Sequence, residues 1–375
     1  MPERPVLGID CFAAATHAPG IGRFGRELVR AWLRADEIPV DLRLLEAGTG
    51  GRVLASWRDA VEGAGVRRAP LGHRRVPAPR RATDLFARAL GVERLVGGCD
   101  AFLRARPFAP VCGHAPTLWP VSQWPSSERP GEDDAVARER FVAELAANDH
   151  LLVFAEAARA RLIEAFDIDA SRVHAIGVGA EHWRRDEEPR DAPAAPRTVL
   201  VLGAVERRRW PEAVLEAFED LVGRGAAERL LFVGRRGAGA DAFARRLGFS
   251  SARARVEWID APVEADLPDI VARAALLVHV GVGEATPVTP LEALAFGVPA
   301  VVSDAPEMRE ALGDAVGYLD EPRERRRGGV LAELCAAELE RDDTDARARR
   351  RATAERFTWD EVARAVAGVV ARVAR

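Results

Sequence analysis

The sequence predicts an α/β protein made of two doubly wound parallel sheets. Its 375 residues exceed what one hydrophobic core usually organises, so two domains are expected. Short apolar runs of strand length alternate with amphipathic stretches of helix length in both halves of the chain. A proline-rich, highly charged segment at 184–197 interrupts this alternation and is typical of a linker.

The first half begins with the apolar run Val6–Asp10, which predicts a buried strand. A helix is expected over 23–34, because Phe24, Leu28 and Trp32 recur near the helical period. The elements expected after it are strands at 39–45, 150–154 and 173–178 and helices at 136–147 and 157–166. Together these elements place a first domain at residues 1–183.

The alternation restarts after the linker with the strand 198–202. The elements expected next are helices at 211–221 and 240–247 and strands at 230–233, 255–258 and 276–280. They place a second domain at 198–355, followed by a closing helix in 356–375, where Thr358 and Glu361 have the spacing of a capping box. Ligands of such sheets bind outside the carboxyl ends of the strands.

The composition is that of an ordinary globular protein. Hydrophobic residues make up 48% of the chain, the formal net charge is −4, and no run approaches the roughly 20 apolar residues of a membrane span. Residues 1–5 lack the basic and apolar regions of a signal peptide, so a cytoplasmic location is expected. The four cysteines have no C-x-x-C spacing, and the acidic pairs at 133–134 and 342–343 lie in charged, loop-like runs, so no metal is predicted.

The segment Arg67–Arg81 carries six arginines and no acidic residue. One interpretation is a solvated basic loop, and the other is a peripheral contact with the inner membrane face or with an acidic acceptor. Aromatic residues are not interleaved with the arginines and no nucleic-acid motif accompanies them. Nucleic acid is therefore not an expected partner.

Two carboxylates, Glu284 and Glu292, flank a predicted turn that opens a helix. A helix N-terminus favours a bound phosphate, because its first backbone N–H groups and the positive end of its dipole face the ligand. Carboxylates beside a phosphate cradle suit the hydroxyl groups of a phosphorylated sugar compound. The alternative for Glu292 is a capping box with Thr289 at the N-cap and Pro290 at the first helical position, which needs no ligand.

The region from the strand before Glu284 to the strand after Gly297 resembles the Glu-x7-Glu region of family 4 of the retaining glycosyltransferases. The resemblance implies the GT-B fold, in which two Rossmann-like domains face each other across a cleft and the C-terminal helix crosses back to the first domain. It also implies that Glu292 holds the ribose of a nucleotide-sugar donor. Glu284 would contact the donor sugar, and Val288 and Thr289 would bind its diphosphate.

Two further segments carry the same resemblance. Gly20 and Gly22 begin a G-x-G-x-x-G pattern, but nine residues separate them from the first strand, where a dinucleotide-binding turn should be tight. The segment resembles the N-terminal loop of the family, whose glycines approach the donor diphosphate. Arg209 takes the position of the family's phosphate-binding lysine, and a guanidinium can grip a diphosphate with two hydrogen bonds. Its neighbours Arg207 and Arg208 are expected to be solvated.

The sequence departs from the family near the reacting sugar. Ser122 stands where the family has a histidine, and His114 lies eight residues upstream as a substitute that depends on the loop between them. In the acidic motif, Ala285, Thr286 and Pro287 replace the family's Gly-Phe-Gly. Pro287 has no N–H to offer a ligand, and the added Cβ atoms narrow the approach of the backbone.

These observations predict a retaining, metal-independent glycosyltransferase of hexosyltransferase type. The donor would be a UDP- or GDP-sugar, used as a substrate with no separate cofactor, and the acceptor a glycan, a lipid-linked compound or a natural product. The assigned catalytic residues are Glu284, Arg209 and Ser122. Two alternatives stay open: a GT-B protein that binds nucleotide sugars without catalysis, and an NAD-dependent oxidoreductase that would use the glycine pattern at Gly20.

Overall fold

A computed structural model describes residues 4–11, 20–35, 40–47, 71–76, 85, 91–105, 113–125, 134–183, 196–260, 262–320 and 327–374. The chain divides into two compact units. Unit 1 contains Met1–Ser122, Arg140–Gly179 and Thr358–Arg375, and unit 2 contains Gln123–Glu139 and Ala180–Phe357. In the part of the chain that the structure describes, no helix has the length and apolar character needed to cross a membrane.

Unit 1 is built on a seven-stranded sheet in the order β3-β2-β1-β4-β5-β6-β7, and every paired neighbour is parallel. Its strands are β1 (Val6–Asp10), β2 (Asp41–Ala47), β3 (Leu71–Val76), β4 (Ala101–Leu103), β5 (Thr117–Pro120), β6 (His150–Val153) and β7 (Val173–Ala175). The central strands are almost entirely apolar and buried, as expected for a parallel sheet covered on both faces.

The helices, in chain order, are α1 (Ile21–Arg34), α2 (Val92–Leu95), α3 (Asp134–Ala147), α4 (Glu156–Phe166), α5 (Pro211–Gly223), α6 (Ala240–Gly248), α7 (Leu267–Ala272), α8 (Val288–Ala295), α9 (Pro306–Leu312), α10 (Arg327–Glu340), α11 (Thr344–Glu355) and α12 (Trp359–Val373). The final helix, α12, packs in unit 1 against α1. The ring centroids of Phe24 and Trp359 lie 6.1 Å apart, and the indole of Trp32 donates to the carbonyl of Ala363 at 3.1 Å. Thr358 caps α12 by accepting from the amide of Glu361.

Unit 2 contains a six-stranded parallel sheet in the order β10-β9-β8-β11-β12-β13. Its strands are β8 (Thr198–Leu202), β9 (Arg229–Val233), β10 (Val256–Ile259), β11 (Leu276–His279), β12 (Ala300–Ser303) and β13 (Gly317–Leu319). After β8 the chain builds one side of the sheet and then returns to place β11 on the other side of β8. Strand order therefore reverses between β8 and β11, and ligands of doubly wound sheets bind at such a switch point.

The predicted strands and helices are present, and their ends agree within three residues. The prediction of a basic loop at Arg67–Arg81 is wrong for Leu71–Val76, which forms strand β3 and pairs with β2. Four of the six arginines of that segment, Arg67, Arg68, Arg80 and Arg81, lie outside the described residues, as does most of the linker. Gln123–Glu139, which the sequence placed in the first domain, groups with unit 2.

Candidate functional site

The switch point of unit 2 holds a cluster of charged side chains around Glu284. The loop after β8 contributes Arg208 and Arg209, and the loop after β11 contributes Glu284. Arg208 Nη1 lies 2.6 Å and Arg209 Nη2 lies 3.0 Å from the same oxygen, Glu284 Oε1. His279 Nε2, at the end of β11, lies 3.3 Å from the other oxygen, and Glu206 Oε2 pairs with Arg208 Nε at 2.7 Å.

This environment keeps the Glu284 carboxyl ionised. Burial by itself would raise the pKa of Glu284, but the charges of Arg209, His279 and Arg208 together lower it by more, and the pKa lies well below its ordinary value. Burial also opposes the charge of Arg208, and its pKa is nevertheless raised because Glu284 and Glu206 stabilise the guanidinium. The cluster is therefore a fixed arrangement of opposite charges.

Two glycines make the close approach of these loops possible. A Cβ atom on Gly281, whose φ is +150°, would lie 2.6 Å from the carbonyl oxygen of Arg208. A Cβ atom on Gly203, whose φ is +127°, would overlap the guanidinium of Arg209. Ser303 at the end of β12 fixes Gly281, since its hydroxyl accepts from the Gly281 amide at 2.8 Å and lies 2.9 Å from the Gly281 carbonyl oxygen. Arg209 also donates to the Leu202 carbonyl at 3.1 Å.

Glu292 lies in α8 with no exposed surface, and His182 Nε2 lies 3.0 Å from its Oε1. His182 belongs to a short 3-10 helix, Glu181–Trp183, and its side chain is 2% exposed.

The predicted capping box is wrong. Helix α8 begins at Val288 with Pro287 as N-cap and no side-chain cap, which puts Thr289 inside the helix and leaves it unable to cap. The first helical turn is therefore available to contribute backbone amides.

Val288 and Thr289 occupy the first two positions of α8. In an α-helix the N–H groups of these positions have no carbonyl acceptor within the helix, so they point toward whatever lies beyond its N-terminus. Pro290 follows and has no N–H. These two amides can donate hydrogen bonds to a phosphate oxygen, as the sequence predicts, directly after the loop that carries Glu284.

The assigned residues of the first domain lie in unit 1. Gly20 is the N-cap of α1 with a φ of +64°, and Gly22 lies in the first turn of that helix. Ser122 follows β5 and is the last residue of unit 1 before the chain enters unit 2 at Gln123. Gln123 forms an isolated antiparallel bridge with Glu284.

His114 does not substitute for the missing histidine. It precedes β5, whereas Ser122 follows β5, so the two residues lie beyond opposite ends of that strand. The backbone of His114 is also fixed there, because Glu93 accepts hydrogen bonds from the amides of Gly113 at 3.0 Å and His114 at 3.2 Å. Ser122 therefore remains the residue assigned to the position where the family has a histidine.

Among the described residues, no group of three or more His, Cys, Asp and Glu side chains could hold a metal ion. Two Asp-x-Asp spacings occur in the sequence, at 167–169 and 343–345. Asp169 accepts from the Ser171 amide and Asp343 from the Ala346 amide, so each of them is a capping residue. Metal independence stays a prediction.

Sequence reasoning missed His279, His182 and the role of Arg208. The prediction that Arg208 is solvated is wrong, because its side chain is 9% exposed and pairs with two glutamates, whereas Arg207 is exposed. The one available signal for His279 was a lone polar residue at the carboxyl end of a buried strand. His182 carries no sequence signal, since only folding brings it to Glu292.

Comparisons with known proteins agree with this fold. Residues 184–352 match the family model described as "Glycosyl transferases group 1". HepE from Anabaena, solved with UDP and glucose, is 13% identical, with a TM-score of 0.68 over 98% of this chain and 100% of that chain. Sucrose-phosphate synthase from Thermosynechococcus elongatus is 14% identical, with a TM-score of 0.68 over 98% of this chain and 99% of that chain. No curated protein matches the sequence.

A glycosyltransferase from Rickettsia africae is also similar, at 12% identity and a TM-score of 0.67 over 100% of this chain and 99% of that chain. Likeness at such low identity shows a common fold. The family match covers the cluster around Glu284 and the helix that carries Glu292. The dehydrogenase alternative depended on the glycines at the start of α1, which lie outside the matched residues.

Proposed function

We propose that this chain, which has the GT-B fold and whose residues 184–352 match the glycosyl transferases group 1 model, moves a sugar from a nucleotide-diphosphate sugar to a carbohydrate or lipid-linked acceptor. The observation that carries the proposal is the Glu284 carboxylate, held by Arg208 and Arg209 at the switch point of the unit 2 sheet. A carboxylate and a guanidinium at that point match the two ends of the reacting bond, the sugar and the diphosphate.

Arg209 is the residue proposed to take the diphosphate. Its Nη2 touches Glu284, whereas its Nη1 touches the Leu202 carbonyl, so the guanidinium is held at two points before any ligand arrives. A preorganised cation stabilises the charge that develops on a leaving diphosphate without reorganising during the reaction. The amides of Val288 and Thr289 supply further donors. A diphosphate that displaces Glu284 from Arg209 Nη2 leaves Nη1 on the Leu202 carbonyl and leaves Arg208 and His279 on Glu284.

Glu284 is proposed to hold the donor sugar. Its lowered pKa keeps it acceptor-only at neutral pH, so it pairs with sugar hydroxyls, which donate. Glu292 is proposed to accept the ribose hydroxyls. Glu292 is fully buried against His182. The ribose hydroxyls must therefore either bind the Glu292 carboxylate together with His182 or displace His182 from it.

The transfer is proposed to retain the anomeric configuration and to need no metal. The acceptor hydroxyl oxygen forms a bond to the anomeric carbon on the face that the diphosphate leaves. The bond between that carbon and the diphosphate oxygen breaks, and the diphosphate takes the hydroxyl proton. Ser122 and the glycines at 20 and 22 remain assigned to this site by resemblance alone.

UDP and GDP sugars are the proposed donors. HepE was solved with UDP-glucose, and TarM from S. aureus with UDP and a GlcNAc-glycerol, so related folds accept UDP and sugar compounds. The proposed location is cytoplasmic. A peripheral membrane contact through 67–81, a segment that contains strand β3, is also proposed.

A second candidate is a member that binds nucleotide sugars without transferring them. The observation that favours it is the state of both acids, since Glu284 already contacts Arg208, Arg209 and His279, and Glu292 is buried. The absence of the family's histidine at Ser122 points the same way.

A thermal-shift panel of UDP, GDP, ADP, UDP-glucose, GDP-mannose and NAD tests the proposal. One nucleoside diphosphate and its sugar derivative should raise the melting temperature, because a ligand that binds only the folded state stabilises it. The sugar derivative should raise it more than the bare diphosphate. A shift with NAD alone, or with no nucleotide, would contradict the proposed donor class.

A further inference from the structure

A tryptophan far away in sequence is fastened to the loop that carries Glu284. The backbone N–H of Trp124 donates to the carbonyl of Gly283 at 2.9 Å, and the residue before it, Gln123, bridges to Glu284 itself. Trp124 is 5% exposed. These contacts belong to unit 2, which the chain enters at Gln123.

The indole of Trp124 makes a second attachment. Its Nε1–H donates to Glu307 Oε1 at 3.0 Å, and Glu307 has no exposed surface. Glu307 lies in the first turn of α9, which follows strand β12 after two residues. A hydrogen bond to an ionised carboxylate is stronger than one between neutral groups. Trp124 therefore ties the Gly283–Glu284 backbone to the helix that follows strand β12.

We propose that Trp124, through its bond to Glu307, is the positioning residue that holds the Glu284 backbone during donor turnover. This inference rests on the proposed function. The three residues Gln123, Trp124 and Glu307 are called the clasp. The clasp acts on the backbone of Glu284, whereas the charged cluster acts on its carboxylate.

The clasp matters because it holds the backbone of Glu284, whereas the charged cluster holds the carboxylate. A donor that recruits Arg209 to its diphosphate removes one of the three groups that hold the Glu284 carboxylate. Sugar hydroxyls must then meet a carboxylate that has kept its place. The clasp fixes the backbone of Glu284, so it can hold the carboxylate in position without competing with the ligand for it. Small displacements of a group at a reacting centre lower the reaction rate strongly.

The test replaces Trp124 by Phe, which keeps an aromatic ring and removes only the N–H donor. We expect kcat for donor hydrolysis to fall about tenfold, the factor that corresponds to one hydrogen bond to a charged group. The Kd for UDP or GDP should stay within about twofold of the parent, because Arg209 and α8 bind the nucleotide end. Glu307→Gln keeps an acceptor for the indole of Trp124, so the kcat of this variant should stay within about threefold of the parent.

The matched control is Trp32→Phe in unit 1. Trp32 is also buried, and its indole donates to the Ala363 carbonyl, so a buried indole hydrogen bond is removed without touching the Glu284 loop. This variant should keep both kcat and Kd. A general loss of structure in Trp124→Phe would lower nucleotide affinity together with kcat, and that result would overturn the positioning role.

Hydrogen–deuterium exchange of the peptide that covers residues 281–287 separates this inference from the proposed function. Exchange should become several-fold faster in Trp124→Phe and unchanged in Trp32→Phe. A parent that turns over no donor would refute the proposed function, and exchange alone would then decide whether Trp124 holds the loop. Unchanged exchange in Trp124→Phe, or an unchanged kcat in an active parent, overturns the inference.

Discussion

Arg209 Nη2 lies 3.0 Å from Glu284 Oε1, and this contact joins the loops that follow the two strands at the switch point of unit 2. The same guanidinium is proposed to bind a diphosphate, and the same carboxylate a sugar. The two residues thus already stand as neighbours, as a donor spanning them requires.

Replacing Arg209 by Ala should raise the activation free energy of donor turnover by about 2–4 kcal/mol, the range for losing one preorganised hydrogen-bond donor. Steady-state kinetics with the donor identified by thermal shift would measure it. Arg207→Ala is the matched control, because Arg207 is the exposed neighbour in the same 3-10 helix and should leave turnover within about twofold. Equal effects of the two changes would refute the assignment of Arg209.

Glu292→Gln should fold normally and bind the nucleoside diphosphate about tenfold more weakly, since it loses a charge-assisted bond to the ribose. Titration calorimetry with UDP or GDP would measure the affinity. The control is Glu257→Gln on strand β10, which removes an exposed pair with Arg229 and should leave the affinity unchanged. Affinity equal to the parent would assign Glu292 a purely structural role with His182.

Excess EDTA should leave donor turnover within about twofold, because Arg209 and the α8 amides supply the positive charge that a metal would otherwise supply. The two Asp-x-Asp spacings already act as caps at Asp169 and Asp343, which leaves them poorly suited to ligate a metal. Turnover assayed with EDTA, and again after adding magnesium or manganese, would measure this. Loss of activity with EDTA and recovery with either metal would contradict it.

Stability should fall in mild acid because of a histidine pair in unit 1. His174 Nε2 lies 3.2 Å from His150 Nδ1, and burial, followed by the charges of His150 and Arg372, lowers the pKa of His174 to about 4. Above pH 6.5 both folded and unfolded chains hold this ring neutral. Between about 6.5 and 4 the unfolded chain binds more protons, so the free energy of unfolding falls as the pH falls.

Because the His174 ring is half-buried, solvent reduces the effect, and we expect roughly 1 kcal/mol between pH 7 and pH 4.5. Urea unfolding at both pH values would measure it. His174→Asn should lose this part of the pH dependence, whereas His114→Asn, at an exposed loop position, should keep it. An identical pH dependence in the parent and in His174→Asn would contradict the prediction.

The sequence was most informative where a local pattern decides the structure. Alternating apolar strands and amphipathic helices predicted both sheets, and the spacing of Thr358 and Glu361 predicted a cap that is present. The same reasoning failed at Thr289, because Val288 and Pro287 start the helix earlier than the capping pattern indicates. It also failed at strand β3, whose arginine-rich sequence lacks strand character and which is held by pairing with β2.

The acids of the candidate site could be named from the sequence, but their partners could not. Glu284 and Arg209 were identified by resemblance, whereas His279, Arg208 and His182 meet them only through the fold. Trp124 and Glu307 are likewise joined by a contact across many residues of chain. A single sequence contains no signal for such pairs, because tertiary contacts between distant residues leave no local pattern.

The release of free sugar and nucleoside diphosphate from a sugar nucleotide, followed over time, tests the central claim most directly. UDP-glucose and GDP-mannose would be incubated with the parent and with Glu284→Ala, and each protein's affinity for the bare diphosphate would be measured in parallel. The account predicts slow release by the parent from one donor, and no release by Glu284→Ala even though it still binds the nucleotide. A parent that releases nothing, and that binds the sugar nucleotide no better than the bare diphosphate, would contradict it.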